Sequence, residues 1–293
     1  MFLLTTLALS VSSAAPGGIA VTIQGDPHEG PEDHWQDLVA AVQEAERFGL
    51  DLTLLLSPNW AEYITDSPRR LRVVAKWVRD DGHQVGFHHH DVTSSNADDY
   101  CGVDESDWDR SWTRSSWADT CEPIQDPTVG FDAVLALQAA LQAAPHSVPS
   151  GTFTDTNIAC QGPEEDIRTL EWQPEVLYSQ GNQSDGSNDP SIAGAGTLSA
   201  VSCQSYGGHD VPEIGSSWIY PGTSRTTVAD ILSDLADPSA SEHDYVSVTF
   251  HPEEFTGSAK LGYRALFAGI RSTTGGTLLM TEILASEDPC NPS

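Results

Sequence analysis

Residues 18–23 read Gly18-Ile19-Ala20-Val21-Thr22-Ile23. The run is continuous and β-branched, the pattern of a parallel strand buried on both faces. It ends in Gln24-Gly25-Asp26-Pro27-His28-Glu29-Gly30-Pro31. From Asp33 to Phe48, Trp35, Leu38, Val39, Val42 and Ala45 recur at helical spacing, and Gly49 stops the helix. Leu50 to Leu56 is a second strand, broken by Ser57-Pro58-Asn59. Ser67-Pro68 starts a helix through Leu71, Val74, Ala75 and Val78, with Pro68 at an acceptable first helical position. Asp80-Asp81-Gly82 ends it, and Gln84-Val85-Gly86-Phe87 is a third strand. Strand, helix, strand, helix, strand implies a parallel sheet or barrel. The ends of the first and third strands, around Asp26 and His88, then fall on one edge of that sheet.

Beyond this block, residues 91–126 form a long polar insertion rich in Asp, Ser and Trp, and connections of that length are usually functional or disordered. A helix is predicted over 129–144 and a strand over 150–154, followed by a Gly-, Ser- and Asn-rich region over 179–216. Strands are predicted again at 217–220 and 245–250, helices at 226–235 and 259–271, and a final strand at 277–280.

The chain of 293 residues is 39% hydrophobic, enough to bury a core as one large domain. Met1 to Val11, followed by Ser12-Ser13-Ala14-Ala15-Pro16, has the pattern of a secretory signal peptide and is too short to span a bilayer. Residues 1–16 are therefore read as a signal peptide, 17–293 as a single domain, and the location as secreted or periplasmic. A net charge of −30, with Lys76 and Lys260 the only lysines, argues against nucleic acid or an anionic membrane as partner. The five cysteines form no Cys-x-x-Cys, which excludes a zinc ribbon or thioredoxin-type motif. In an exported chain, Cys101 with Cys121 and Cys160 with Cys203 would clamp two loop-rich regions, with Cys290 left over.

Three strand ends carry groups able to do chemistry: Asp26, His28 and Glu29; His88, His89 and His90; and His251 with Glu253. Neutral imidazole is a common ligand for zinc and other transition metals, and a mononuclear site takes about three protein ligands. Side chains two apart on an extended segment point the same way, so His88 and His90 share a target while His89 turns elsewhere. Trp108, Trp112 and Trp117 either stack on sugar rings or staple the long insertion down. Asp104, Glu105, Asp107 and Asp109 do not have the spacing of an EF-hand. No Gly-x-Ser-x-Gly elbow, phosphate-binding loop or His-Glu-x-x-His motif is present.

Gly82-His83-Gln84-Val85-Gly86-Phe87-His88 resembles the Gly-His-Glu-Ile-Gly-x-His strand of the polysaccharide deacetylase superfamily. Thr22-Ile23-Gln24-Gly25-Asp26 is similar to its first motif, Thr-Phe-Asp-Asp, and Val248-Thr249-Phe250-His251 to the late strand that ends in a catalytic histidine. The chain diverges at three places. Val92 stands where the family has its second metal histidine, which passes that role to His90. The first motif has one Asp, and Ser150 to Asp155 replaces the family's Arg-x-Pro.

The resemblance implies an α/β fold, a distorted (β/α) barrel of about seven parallel strands with long loop insertions. It implies a hydrolase that removes acetyl groups from a glycan substrate, with a divalent metal, commonly zinc. Asp26, His88 and His90 would hold the metal, with His28 as an extra ligand or base. Glu29 would act as base and His251 as the acid that protonates the leaving group. The alternatives are a carbohydrate-active hydrolase using its carboxylates without metal and a noncatalytic glycan- or metal-binding protein. The oligomeric state is left open.

Overall fold

The computed structural model describes residues 17–25, 30–88, 136–137, 139–141, 160–161, 177–180, 198–206, 209–214, 217–219, 227–237, 239–240, 243–286 and 290. Strand β1 (Gly18–Gly25) is followed by α1 (Pro31–Phe48), β2 (Thr53–Leu56), α2 (Pro58–Thr65), α3 (Pro68–Arg79) and β3 (Gln84–His88). β1 pairs parallel with β2, and β2 with β3. On its other side β1 pairs parallel with β10 (Asp244–Phe250), in the register Thr22↔Thr249 and Ile23↔Phe250.

From β3 the sheet continues in parallel through β4 (Cys160–Gln161), β5 (Leu177–Gln180) and β8 (His209–Ile214). β7 (Ser202–Tyr206) runs antiparallel to β8, β6 (Leu198–Ala200) antiparallel to β10, and β9 (Ser217–Trp218) parallel to β10. The fold class is α/β with a sheet that is parallel through its centre. Helices α4 (Val228–Leu235), α5 (Ala259–Thr273) and α6 (Met280–Ser286) lie in the last third of the chain.

Local chemistry explains the first helices. α1 has Pro31 in its first turn, where the missing N–H costs nothing, and Glu32 and Asp33 beside the positive end of the helix dipole. Gly49 closes it in the left-handed conformation, φ 64°, returning its N–H to the last turn. α2 departs from the reading of Ser57-Pro58-Asn59 as a mere break. Pro58 takes the first helical turn, and Trp60, Ala61 and Ile64 bury completely.

The central strands have two buried faces of different character. Ile19, Val21, Ile23, Leu54, Leu56, Val85, Val246, Val248 and Phe250 alternate onto one face and pack with the helices in the main core. Thr22, Gln24, Thr53, Gln84, Ser247 and Thr249 alternate onto the other, all buried. Part of that second face is covered by α6, whose Met280 and Ile283 pack on Ala20, Leu55 and Tyr245.

The segment before and within α6 is stitched to the N-terminal ends of the strands. Leu278 donates its N–H to the Ile19 carbonyl at 2.8 Å. The Met280 N–H reaches Thr53 Oγ1 at 3.1 Å, and Gln84 Nε2 donates to Thr281 Oγ1 at 2.9 Å. The strand predicted at 277–280 is reduced to a single bridge, Ala20↔Leu278. Glu282 accepts from the Leu279 N–H at 2.8 Å and turns the chain into a helix there.

Two further expectations are corrected. The Gly-, Ser- and Asn-rich region over 179–216 contains β6, β7 and β8, because a ladder satisfies backbone groups without needing apolar side chains. The disulfide joins Cys203 to Cys290, 87 positions apart, with Cα atoms at 5.0 Å. Cys203 is therefore not paired with Cys160, and Cys290 is not left over. Cys101, Cys121, the strand predicted at 150–154 and the insertion with its tryptophans lie outside the described residues. Of the helix predicted over 129–144, residues 136–137 and 139–141 are described and helical.

Candidate active site at the sheet edge

The parallel register fixes where the functional strand ends lie. Gly25 is level with Leu56, Leu56 with Phe87, and Ile23 with Phe250. β10, β1 and β3 therefore leave the sheet at one edge, with neighbouring strands about 4.8 Å apart. At that edge in an α/β fold, side chains from several strand ends converge.

His251 follows β10 there, continues the alternation of Ser247 and Thr249, and is buried. Below it, Thr22 Oγ1 and Thr249 Oγ1 are hydrogen-bonded at 2.6 Å. The turn after it is a short 3-10 helix, Pro252–Glu254, with Pro252 in the first position. The Glu254 N–H donates to the His251 carbonyl at 3.1 Å, and the His251 N–H donates to Glu254 Oε2 at 2.9 Å. The Tyr263 hydroxyl on α5 shares its single proton between the Ile219 carbonyl at 3.0 Å and the same Oε2 at 3.2 Å.

His251 Nδ1 stands 3.7 Å from Glu253 Oε1 and 3.6 Å from Glu254 Oε1. These are ion-pair distances, longer than hydrogen bonds. His251, Glu253 and Glu254 each offer one ligand atom, and the three atoms lie within 4.8 Å of one another. Imidazole nitrogen and carboxylate oxygen are both donors that zinc accepts, so the chemistry of the set fits a divalent cation.

Glycine at position 25 has a packing reason. A Cβ there would stand 3.0 Å from three atoms of the Trp60 indole. The fully buried Trp60 thus lies directly against the end of β1, and the Ser57 N–H donates to the Gly25 carbonyl at 3.1 Å.

Of the residues singled out in the sequence, His251 and Glu253 are brought together. His88 ends β3, where its backbone pairs with Gln161 of β4. Asp26, His28, Glu29, His89 and His90 lie outside the described residues. Glu254 and Tyr263 were not anticipated. The signal for Glu254 was present, since a glutamate three residues after a strand-terminal residue has capping-box spacing. Tyr263 could be found only from the packing of α5 on β10.

His83, inside the motif that carries the family resemblance, has a different role. It is buried at the start of β3, with Nδ1 accepting from the Leu52 N–H at 3.0 Å. Burial pushes its pKa down to about 4, Asp81 opposing and Lys76 adding to the shift. The ring is therefore neutral with its proton on Nε2, a structural group at the opposite end of β3 from His88.

No family model and no curated protein matches the chain. Solved structures do resemble it. A 4-alpha-glucanotransferase from Thermococcus litoralis is 12% identical over 94% of this chain and 41% of that one, with a TM-score of 0.49. A protein of Mycobacterium smegmatis assigned as a polysaccharide deacetylase is 14% identical over 93% of each chain, with a TM-score of 0.43. A family 4 acetyl xylan esterase from Clostridium thermocellum, solved with a cobalt ion, is 12% identical over 92% of this chain and 90% of that one, with a TM-score of 0.38. At such identities and scores these are likenesses alone. Polysaccharide and peptidoglycan deacetylases are among the solved structures similar to this chain, the resemblance that its sequence motifs also carry.

Proposed function

We propose that this chain is a metal-dependent hydrolase that removes acetyl groups from a polysaccharide or oligosaccharide. The observation that carries the reading is the position of His251. It is a buried histidine with two carboxylates at its Nδ1, at the end of the strand that pairs directly with β1. β1 runs on into Asp26, and β3, separated from β10 by β1 and β2, ends at His88.

In this reading the sheet is part of a distorted (β/α) barrel of about seven strands. Residues 17–293 form one domain, and 1–16 direct export to a secreted or periplasmic location. Asp26, His28, His88 and His90 would hold the divalent metal, zinc by ligand type. When bound, the metal supplies polarisation of an acyl carbonyl and acidification of a water. Glu29 would take the proton of a water whose oxygen bonds to the acyl carbon as the bond from that carbon to the leaving amine or alcohol breaks. His251, with Nδ1 turned toward Glu253 and Glu254, presents Nε2 to the leaving amine or alcohol and gives it a proton. The site takes an acetylated glycan as substrate.

The test is metal content followed by acetate release from a panel of acetylated glycans. Stoichiometric metal, chelator-sensitive acetate release, and loss of both in His88→Ala are expected. Unchanged metal content in that variant, or acetate release indifferent to chelation, would overturn the reading.

A further inference from the structure

We infer that Glu254 is the positioning residue of His251, setting the orientation and tautomer of its ring; this rests on the reading of His251 as proton donor. Two carboxylates face Nδ1 at nearly equal distance, but they are held differently. The Glu254 side chain is 4% exposed and that of Glu253 21%. Glu254 Oε2 accepts from the His251 N–H and shares the Tyr263 hydroxyl proton with the Ile219 carbonyl, so rotation of the carboxylate gives up both contacts. That fixes Oε1 toward Nδ1.

Tyr263 is fixed in turn. Its hydroxyl also reaches the Ile219 carbonyl, and its ring centroid lies 4.4 Å from that of Phe250 and 5.6 Å from that of Phe255. The chain of contacts runs from an aromatic cluster through Tyr263 and Glu254 to the imidazole.

A carboxylate facing Nδ1 favours the proton on that nitrogen in the neutral ring and stabilises the ring when both nitrogens are protonated. Only the doubly protonated ring carries on Nε2 the proton that the proposed reaction needs. Contacts of this kind are often long in an unliganded site and tighten when substrate binds.

Glu254→Gln tests the assignment. Glutamine keeps an acceptor for the His251 N–H and the Tyr263 hydroxyl but turns an NH2 donor, without charge, toward Nδ1. Nitrogen-15 NMR of the full chain labelled at histidine should show the neutral His251 ring moving its proton from Nδ1 to Nε2. In acetate-release assays kcat should fall about 10–100-fold with KM unchanged. Glu253→Gln should leave the tautomer in place.

A folded Glu254→Gln protein with an unchanged His251 tautomer would overturn the inference. So would equal tautomer shifts in the two variants. A wild-type His251 signal that moves stoichiometrically with added zinc would also overturn it, and would make the turn a cation site. If wild-type protein releases no acetate, the proton-donor reading fails, while the tautomer measurement still decides whether Glu254 sets the ring.

Discussion

Arg264 donates from Nη2 to Glu44 Oε2 at 2.9 Å, and its Nε stands in ion-pair contact with Oε1 at 2.9 Å. The two residues lie 220 positions apart and tie α1 to α5, the helix that carries Tyr263. The hydrogen bond from Arg264, followed by its charge and those of Arg47, outweighs burial and holds the Glu44 carboxyl below its usual range. A depressed carboxylate contributes stability above its unfolded pKa and loses it as pH falls through the folded value. Arg264→Ala should therefore lower Tm by a few degrees at neutral pH, with the difference from wild type closing as pH drops below the carboxylate range. Calorimetry across that range checks it.

His83 gives the opposite end of β3 its own pH dependence. Its folded pKa, about 4, lies below the 6.5 of a free histidine, so the unfolded chain binds the proton more readily. The contribution is complete above pH 6.5 and is lost as pH falls toward 4. Between about pH 7.5 and pH 5 the loss is about 2 kcal/mol. Urea titrations at the two pH values should show it, and His83→Leu should lose most of that pH dependence while costing stability at both.

Gly25→Ala places a methyl group 3.0 Å from the Trp60 indole, which is fully buried and cannot swing away. Overpacking of this kind costs about 1–3 kcal/mol. Because Asp26 is the next residue, the same variant should weaken metal binding if Asp26 is a ligand. Stability and metal affinity should therefore fall together, measured by denaturant titration and by metal analysis.

Cys290→Ser removes the tie between β7 and the chain beyond α6. Loss of a native disulfide costs about 2–5 kcal/mol. The loss should be uneven: hydrogen exchange over 277–286 should accelerate more than over β1. Equal acceleration in both would show that the disulfide does not hold this segment.

The first three strands and the helices α1 and α3 were legible because parallel strands buried on both faces read as continuous apolar runs and amphipathic helices repeat at fixed spacing. The polar residues inside those runs were the overlooked signal. Thr22, Gln24, Thr53, Gln84, Ser247 and Thr249 share one buried face, and His251 continues it. The helix at Pro58 was hidden because Ser-Pro-Asn stops a strand as well as it starts a helix. The β7–β8 pair was hidden by polar composition, although Tyr206 and His209 pair across Gly207-Gly208, a dipeptide that favours hairpins. His251 could be found from one strand and its end. The Tyr263–Glu254 contact depends on how a later helix docks, which no local pattern encodes.

The hydrogen bond between Thr22 and Thr249 also has a meaning in time. The two hydroxyls are 227 positions apart. At about 5–20 residues per second, the second leaves the ribosome roughly 10–45 s after the first. For that interval β1 has β2 to pair with but not β10, and one of its edges is an open template. Half a site is no site, so a fragment ending before Phe250 should be inert however well its first strands pair. The nascent chain also has reason to need a chaperone during that wait.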